Sequence, residues 1–531
     1  MKKIVNHFVF KLACIIVGSV LVLLASYLGF GFMVSKMKGL PNINLWLFAV
    51  LFLLFWMPIL LLIIIKFKIF VLKESKAPKL IDYLIFGAVG LFCFLMFMHS
   101  DITITANHGI QFLDLLFKGN IREFYITEAH GIGGTAVYDL PTYIIFAVFN
   151  LPLYICGIRS ANSAPVLLWN QLLLVLFYLG TAYMIYKIIK AMGINKDKAK
   201  WGGFLFLLMP FASFSVLVFS QYDIFGTFFF TIATYFFMQK KYYKFVIFAS
   251  IAITMKPFFL FPILPMILLI EKRPLHIIKY FAIAVSAMVL CKIIQLAFES
   301  PDQESFLSDM LSRYLGSGLP GGMAVISFNI IALGVACFFA YRTSISKDNN
   351  IDFFAKAIYI PLFIFSIFFI TVFWHPQWLV ILAPYIILSI FLAKEKGLSF
   401  VLDGIAAVAF LIMTPLIFVN NVAENMFGTI WNNVGFNSHG NIANIKIIDM
   451  YNSVLRALGI NASYLIIVMM SVFCFALIFS LYLKFPTKKR AEAVAKTLNN
   501  DDEKVFNRAN IWLYGLLIFV FIVPATFLAL V

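Results

Sequence analysis

The sequence predicts an all-α, polytopic integral membrane protein, and three observations predict it. Hydrophobic residues make up 63% of the 531-residue chain and charged residues only 12%, about half the charged share of a soluble domain. Apolar runs long enough to cross a bilayer recur along nearly the whole chain, and the mean hydropathy is +0.98. These runs do not alternate apolar with polar residues as barrel strands do. Hydrocarbon offers no solvent to backbone amides, so the runs must be helices.

Taken in order, the expected spans lie near 8–34, 45–72, 80–99, 164–189, 201–219, 222–239, 243–256, 258–270, 275–298, 323–341, 353–374, 377–394, 399–419, 462–484 and 509–530, about fifteen in all. Met1-Lys2-Lys3 and the apolar run that follows resemble a signal peptide. The run continues to about Val34, too long for an h-region, so it reads as a retained first helix. With the N-terminus in the cytoplasm, the basic loops all fall inside: Lys66 to Lys79, Lys187 to Lys200, Lys240 to Lys244, Lys272 and Arg273, Arg342 and Lys347, Lys394 and Lys396, and Lys484 to Lys496. The formal charge of +17 is explained by these loops, so no nucleic-acid partner is expected.

Pro141 to Gly157 is apolar but only about 25 Å long as a helix, short of a roughly 30 Å core. It is expected to be re-entrant or half-buried on the outer side. Lys256-Pro257 divides two short helices at an outer apex, because proline lacks a backbone donor. The outer segments are then Asp101 to Ser163, Glu299 to Gly322 and Asn420 to Asn461. Ile110 to Phe117 and Phe124, interrupted by Asp114, Lys118, Arg122 and Glu123, suit amphipathic helices at the interface. Residues 485–508 read as a partly helical cytoplasmic linker. The chain divides into N-terminal helices (1–79), a membrane core (80–398) and a C-terminal region (399–531). The six cysteines form no CxxC pair and read as packing residues.

The candidate chemistry gathers on the outer side. Asp101 follows directly on the third expected span, where a carboxylate can be either simply solvated or a general base. His108, Asp114, Glu123, Glu128, His130 and Asp139 follow in the same loop, without a compact metal-ligand spacing. Gln221-Tyr222-Asp223 forms a tight outer turn, in which Asp223 can also be a helix cap. Lys256 is a cation at an outer helix apex and needs a partner, an anionic ligand or lipid headgroups. Trp374-His375-Pro376-Gln377-Trp378 makes another outer turn, where the tryptophans suit an interfacial belt and His375 can donate to a phosphate oxygen.

On SDITITANHG, YDLPTYIIFAVFNLPLY, SQYD, AITMKPFFLFPILPMILL and FWHPQWLVILAPY, the chain resembles the GT-C superfamily of polytopic membrane glycosyltransferases across about residues 80–395. The likeness is to polyprenyl-phosphate-sugar-dependent, mannosyltransferase-like members. It implies a lipid-linked sugar donor, inverting transfer to a glycan, lipid or protein acceptor outside the bacterial cytoplasmic membrane, and Asp101 as catalytic base. It also implies that Lys256 and His375 hold the donor phosphate. His108, Glu123, Asp139, Gln221, Asp223 and Gln377 are the further substrate-binding candidates, and Asp139 or Glu123 can share the base role. Asp101 lacks the paired acidic neighbour of some relatives, being flanked by Ser100 and Ile102, which leaves a divalent cation open as cofactor. The alternatives are a flippase or transporter of lipid-linked oligosaccharide, which predicts charges at the bilayer midplane, and a surface polysaccharide polymerase or ligase, which predicts outer arginines.

Overall fold

The computed structural model describes residues 75–128, 134–298, 306–321, 324–343, 350–417, 452, 455–456, 459–497 and 508–518. The spans expected at 8–34 and 45–72, most of the segment 420–461 and the end of the last span lie outside the described residues. Within them the chain is helical apart from one short antiparallel hairpin, β1 (Gly318–Gly321) with β2 (Ala324–Ser327). That hairpin occupies the start of the span expected at 323–341, whose helix begins only at Phe328.

α1 (Leu80–Met96) stops at an extended Phe97, and α2 (Ser100–Lys118) starts afresh after His99, whose ring nitrogen caps it. Gly119, at φ +79°, closes α2 in the left-handed conformation that glycine adopts without steric cost. After a 3-10 turn (Ile121–Tyr125) come α3 (Leu140–Ile155), α4 (Ala164–Ala191) and α5 (Lys196–Leu208). A single turn at Pro210–Ser213 and a π-helical turn, Phe214–Val218, lead to α6 (Asp223–Met238), α7 (Tyr242–Met255), a 3-10 turn at Pro257–Leu260, and α8 (Ile263–Ile270). Next are α9 (Pro274–Leu296), α10 (Phe306–Gly316), the hairpin, α11 (Phe328–Arg342), α12 (Asn350–Thr371), a 3-10 turn at Pro376–Ile381, and α13 (Ala383–Leu392). The chain continues with α14 (Lys396–Ile417), α15 (Ala462–Lys484), α16 (Lys488–Thr497) and α17 (Arg508–Leu517).

Five described helices are long and apolar enough to cross a membrane: α4, α9, α12, α14 and α15. α5 and the turns after it make a sixth when the 51° bend at Pro210 is counted within one span. α1, α3, α6, α7, α11 and the segments 257–270 and 376–392 are apolar but shorter. The chain is divided at Pro257 as expected, and the segments after Pro257 and Pro376 each open as a 3-10 turn before becoming α-helical. The stretch expected as interfacial helices is shared by two elements: α2, which runs to Lys118 and buries Ile102, Ala106 and Ile110, and the 3-10 turn Ile121–Tyr125, which buries Phe124. α2 packs so tightly on α3 that a Cβ at Gly109 would lie 2.6 Å from Phe146 Cβ. One large apolar core extends from Cys93 to Ile518, and a smaller one lies under the first long connection, around Phe124, Tyr125 and Tyr143. Cys93 and Cys291 belong to buried faces, whereas Cys156 is exposed beyond α3.

Candidate functional site

The segment between α1 and α2 places Asp101 in the first turn of α2, where the positive end of the helix dipole favours a carboxylate. Its Oδ2 accepts a hydrogen bond from Gln221 Nε2 at 2.9 Å. The same amide nitrogen lies 3.2 Å from His99 Nδ1, which also accepts from the Asp101 backbone N–H at 3.1 Å. Two neighbours of that ring nitrogen are donors, and the second Asp101 carboxylate oxygen, Oδ1, also lies 3.4 Å from it. The His99 ring stacks on Phe219 at 4.1 Å. Asp101 therefore has one oxygen held, and its side chain remains 39% exposed.

Gln221 reaches this position through unusual backbone. The π-helical turn ends at Val218, and Ser220 follows with φ +52°, a left-handed conformation that costs a non-glycine residue energy. Ser220 is held there by a 2.8 Å bond from Gln171, which also donates to Phe97 O at 2.7 Å. The segment before α2 and the segment before α6 are thus tied by one side chain.

Next to Gln221, Asp223 opens α6 and forms an ion pair with Lys256, Oδ1 to Nζ 2.9 Å, the two side chains being 0% and 3% exposed. Asp223 does not cap the helix; the carboxylate faces the ammonium. Beyond this ion pair, no hydrogen bond reaches either carboxylate oxygen among the described residues. The Lys256 ammonium lies 4.9 Å from the Tyr138 ring centre, 5.6 Å from Tyr222 and 6.0 Å from Trp378. Such faces attract a cation through their quadrupole. The expected ligand for Lys256 is thus replaced by an anion of the chain itself.

His375 precedes the 3-10 turn at Pro376–Ile381 and packs its ring on Trp378, 4.9 Å away. Its pKa is held below the ordinary imidazole value, by burial first and then by Arg313 and Lys256, with Asp223 and Asp101 opposing. At neutral pH it is an uncharged N–H donor and adds no positive charge. Gln377 has its backbone carbonyl bonded by Ser215 Oγ at 3.0 Å, and its side-chain oxygen is buried without a hydrogen-bond partner.

The loop candidates divide. Asp139 pairs with Lys292 of α9 at 2.8 Å, and burial raises its pKa against that pairing. It tethers the neighbouring Tyr138 over Lys256. His108 is remote from this cluster in function: its Nε2 lies 3.1 Å from Gly134 O and its ring packs edge-on against Tyr143 and Phe124. Burial lowers its pKa to about 4, so it packs there as a neutral histidine. Glu123 follows the far end of α2, about 27 Å of helix beyond Asp101, and no described contact joins it to the cluster.

Asp101, Gln221, Asp223, Lys256 and His375 therefore gather at one place, with Asp139 at its edge. His99, Tyr138, Tyr222 and Trp378 belong there too. The sequence signals for them were the run HSD, the YDLP motif, the QYD turn and the second tryptophan of WHPQW. Among the described residues no three His, Cys, Asp or Glu side chains gather as a metal site. No known protein family, curated protein or solved structure matches the chain.

Proposed function

We propose that the chain is a multi-pass glycosyltransferase of the bacterial cytoplasmic membrane, with its N-terminus inside and the Asp101 site on the outer face. It moves a sugar from a polyprenyl-phosphate donor, with inversion, to a glycan, lipid or protein acceptor. The observation that carries this reading is the Asp101 carboxylate, fixed by Gln221 yet partly exposed, beside a desolvated Asp223–Lys256 pair walled by aromatic rings. Aromatic faces and polar side chains in one cleft suit a sugar ring and its hydroxyls. The distribution of basic loops supports the orientation.

Asp101 removes the proton from an acceptor hydroxyl as that oxygen bonds to the anomeric carbon from the face opposite the phosphate. The bond from the anomeric carbon to the phosphate oxygen breaks, and its electron pair leaves with the phosphate. Asp101 holds the proton until solvent takes it. His375 offers an N–H to a phosphate oxygen. Lys256, its charge matched by Asp223, shapes the wall and supplies no net cation.

The test is Asp101→Asn in purified full-length protein, assayed for transfer from polyprenyl-phosphate mannose or glucose. Loss of general-base catalysis should lower turnover by roughly 10²–10⁴-fold. Wild-type turnover in this variant removes Asp101 as base.

A further inference from the structure

Asp101 and Gln221 reach each other from two stretches of chain that lie between helices. Asp101 follows the break between α1 and α2, and Gln221 follows the π-helical turn before α6. The 2.9 Å bond joining them spans 120 residues of sequence. Its length therefore depends on how the two stretches sit relative to each other.

A residue of α4 fixes that relation. Gln171 is buried, and its amide nitrogen donates to Phe97 O at 2.7 Å and to Ser220 Oγ at 2.8 Å. A carbonyl only accepts, so the nitrogen of the amide, not its oxygen, faces Phe97. Both recipients stand where the helical ladder is broken. Phe97 ends α1 in an extended conformation, and Ser220 is left-handed beyond the π-helical turn. Two residues after Phe97 comes His99, whose Nδ1 accepts from the Asp101 N–H at 3.1 Å. Directly after Ser220 comes Gln221, whose backbone N–H is bonded to Ser215 O at 3.0 Å. One amide group thus holds both arms of the Asp101–Gln221 contact close to their ends. The Gln171 oxygen, in contrast, is buried without a hydrogen-bond partner among the described residues. An unpaired buried acceptor costs free energy that leucine or methionine would not, so stability alone does not account for glutamine in this apolar helix.

We propose that Gln171 is a positioning residue, which sets the register of these two stretches so that the Gln221 amide meets Asp101 Oδ2 and keeps the carboxylate in one orientation. It acts through Gln221 and not on the reacting atoms. A misplacement of about 1 Å in a reacting group can lower a rate by about 10²-fold. That the alignment serves sugar transfer rests on the glycosyltransferase reading; the tie itself does not.

The experiment uses full-length protein in nanodiscs, assayed for transfer from polyprenyl-phosphate mannose or glucose and, in the same samples, for hydrogen–deuterium exchange. Q171M keeps the bulk of the side chain and loses both donors. It should lower kcat by about ten- to a hundredfold with KM for the donor unchanged. Added to Q221M, it should lower kcat no further, because both substitutions break one alignment. Exchange should quicken together in residues 97–101 and 219–222. S220G, which keeps the left-handed backbone and removes the hydroxyl, carries the same test where Q171M does not fold. Wild-type kcat in Q171M overturns the proposal, as do effects of Q171M and Q221M that multiply, a raised KM with kcat kept, or unchanged exchange in either stretch. Quickened exchange in both stretches while wild type transfers no sugar leaves the tie standing and removes the enzymatic reading.

Discussion

Two of the buried aspartate–lysine pairs among the described residues are alike in charge and unlike in completeness. Asp403 of α14 meets Lys484 of α15 with both carboxylate oxygens, at 3.0 and 2.7 Å, and takes a further bond from Ser480 at 2.9 Å. Asp223 meets Lys256 with one oxygen at 2.9 Å and, among the described residues, takes no bond from any other group. Both pairs are almost wholly out of solvent. Desolvating an ion pair is costly unless further hydrogen bonds satisfy it. The Asp403 pair meets that condition, as does Asp82, which accepts from Arg508 at 2.6 Å, Trp512 at 2.8 Å and the Lys79 backbone at 2.8 Å. These are staples between helices. Asp223 stands at the site, where incompleteness leaves acceptors for a ligand to fill.

The largest expected effect falls on the complete pair. Lys484→Met alone should cost about 3–5 kcal/mol, because it strands a buried carboxylate. The double variant with Asp403→Leu should recover most of that loss in thermal unfolding of detergent-solubilised protein. Equal melting of single and double variants would show that this pair is no staple.

A buried polar group outside either pair gives the next effect. His108 has its pKa lowered to about 4 from an unfolded value near 6.5. The unfolded chain therefore takes up a proton first as pH falls. Stability is complete above pH 6.5 and declines towards pH 4, by about 3 kcal/mol at most. The loss should be absent in His108→Gln, and parallel pH profiles for the two proteins would contradict the assignment.

Asp223→Asn strands the buried Lys256 ammonium, which the aromatic faces around it only partly compensate, so its cost should fall at the low end of the same range, about 3 kcal/mol, while transfer from the lipid-linked sugar falls more than tenfold. Wild-type transfer by this variant would remove the pair from the site.

Much of the helical pattern was legible in the sequence, because apolar runs and basic loops are local signals. The polar turns at Asp101, Gln221–Asp223, Lys256 and His375 were legible for the same reason: each interrupts an apolar run. Pairing was not. Lys256 finds Asp223 across α6 and α7, and periodicity carries no information about such a partner. Tyr138 and Trp378 join through ring contacts between residues far apart in the chain. The division at Pro257 was legible, but that the segments after Pro257 and Pro376 open as 3-10 turns was not, because hydropathy does not register the hydrogen-bond pattern. The titratable residues of the first long connection did not act as a group: His108 went to a core and Asp139 to a tether.

Ser220 has a consequence for how this sequence can drift. At φ +52° the position tolerates glycine, asparagine or aspartate, while a β-branched residue there would push the following glutamine off its target. The hydroxyl adds a second restriction, since only a side chain able to accept from Gln171 keeps the two segments joined. A position that touches no substrate is thereby among the least free to vary in the molecule.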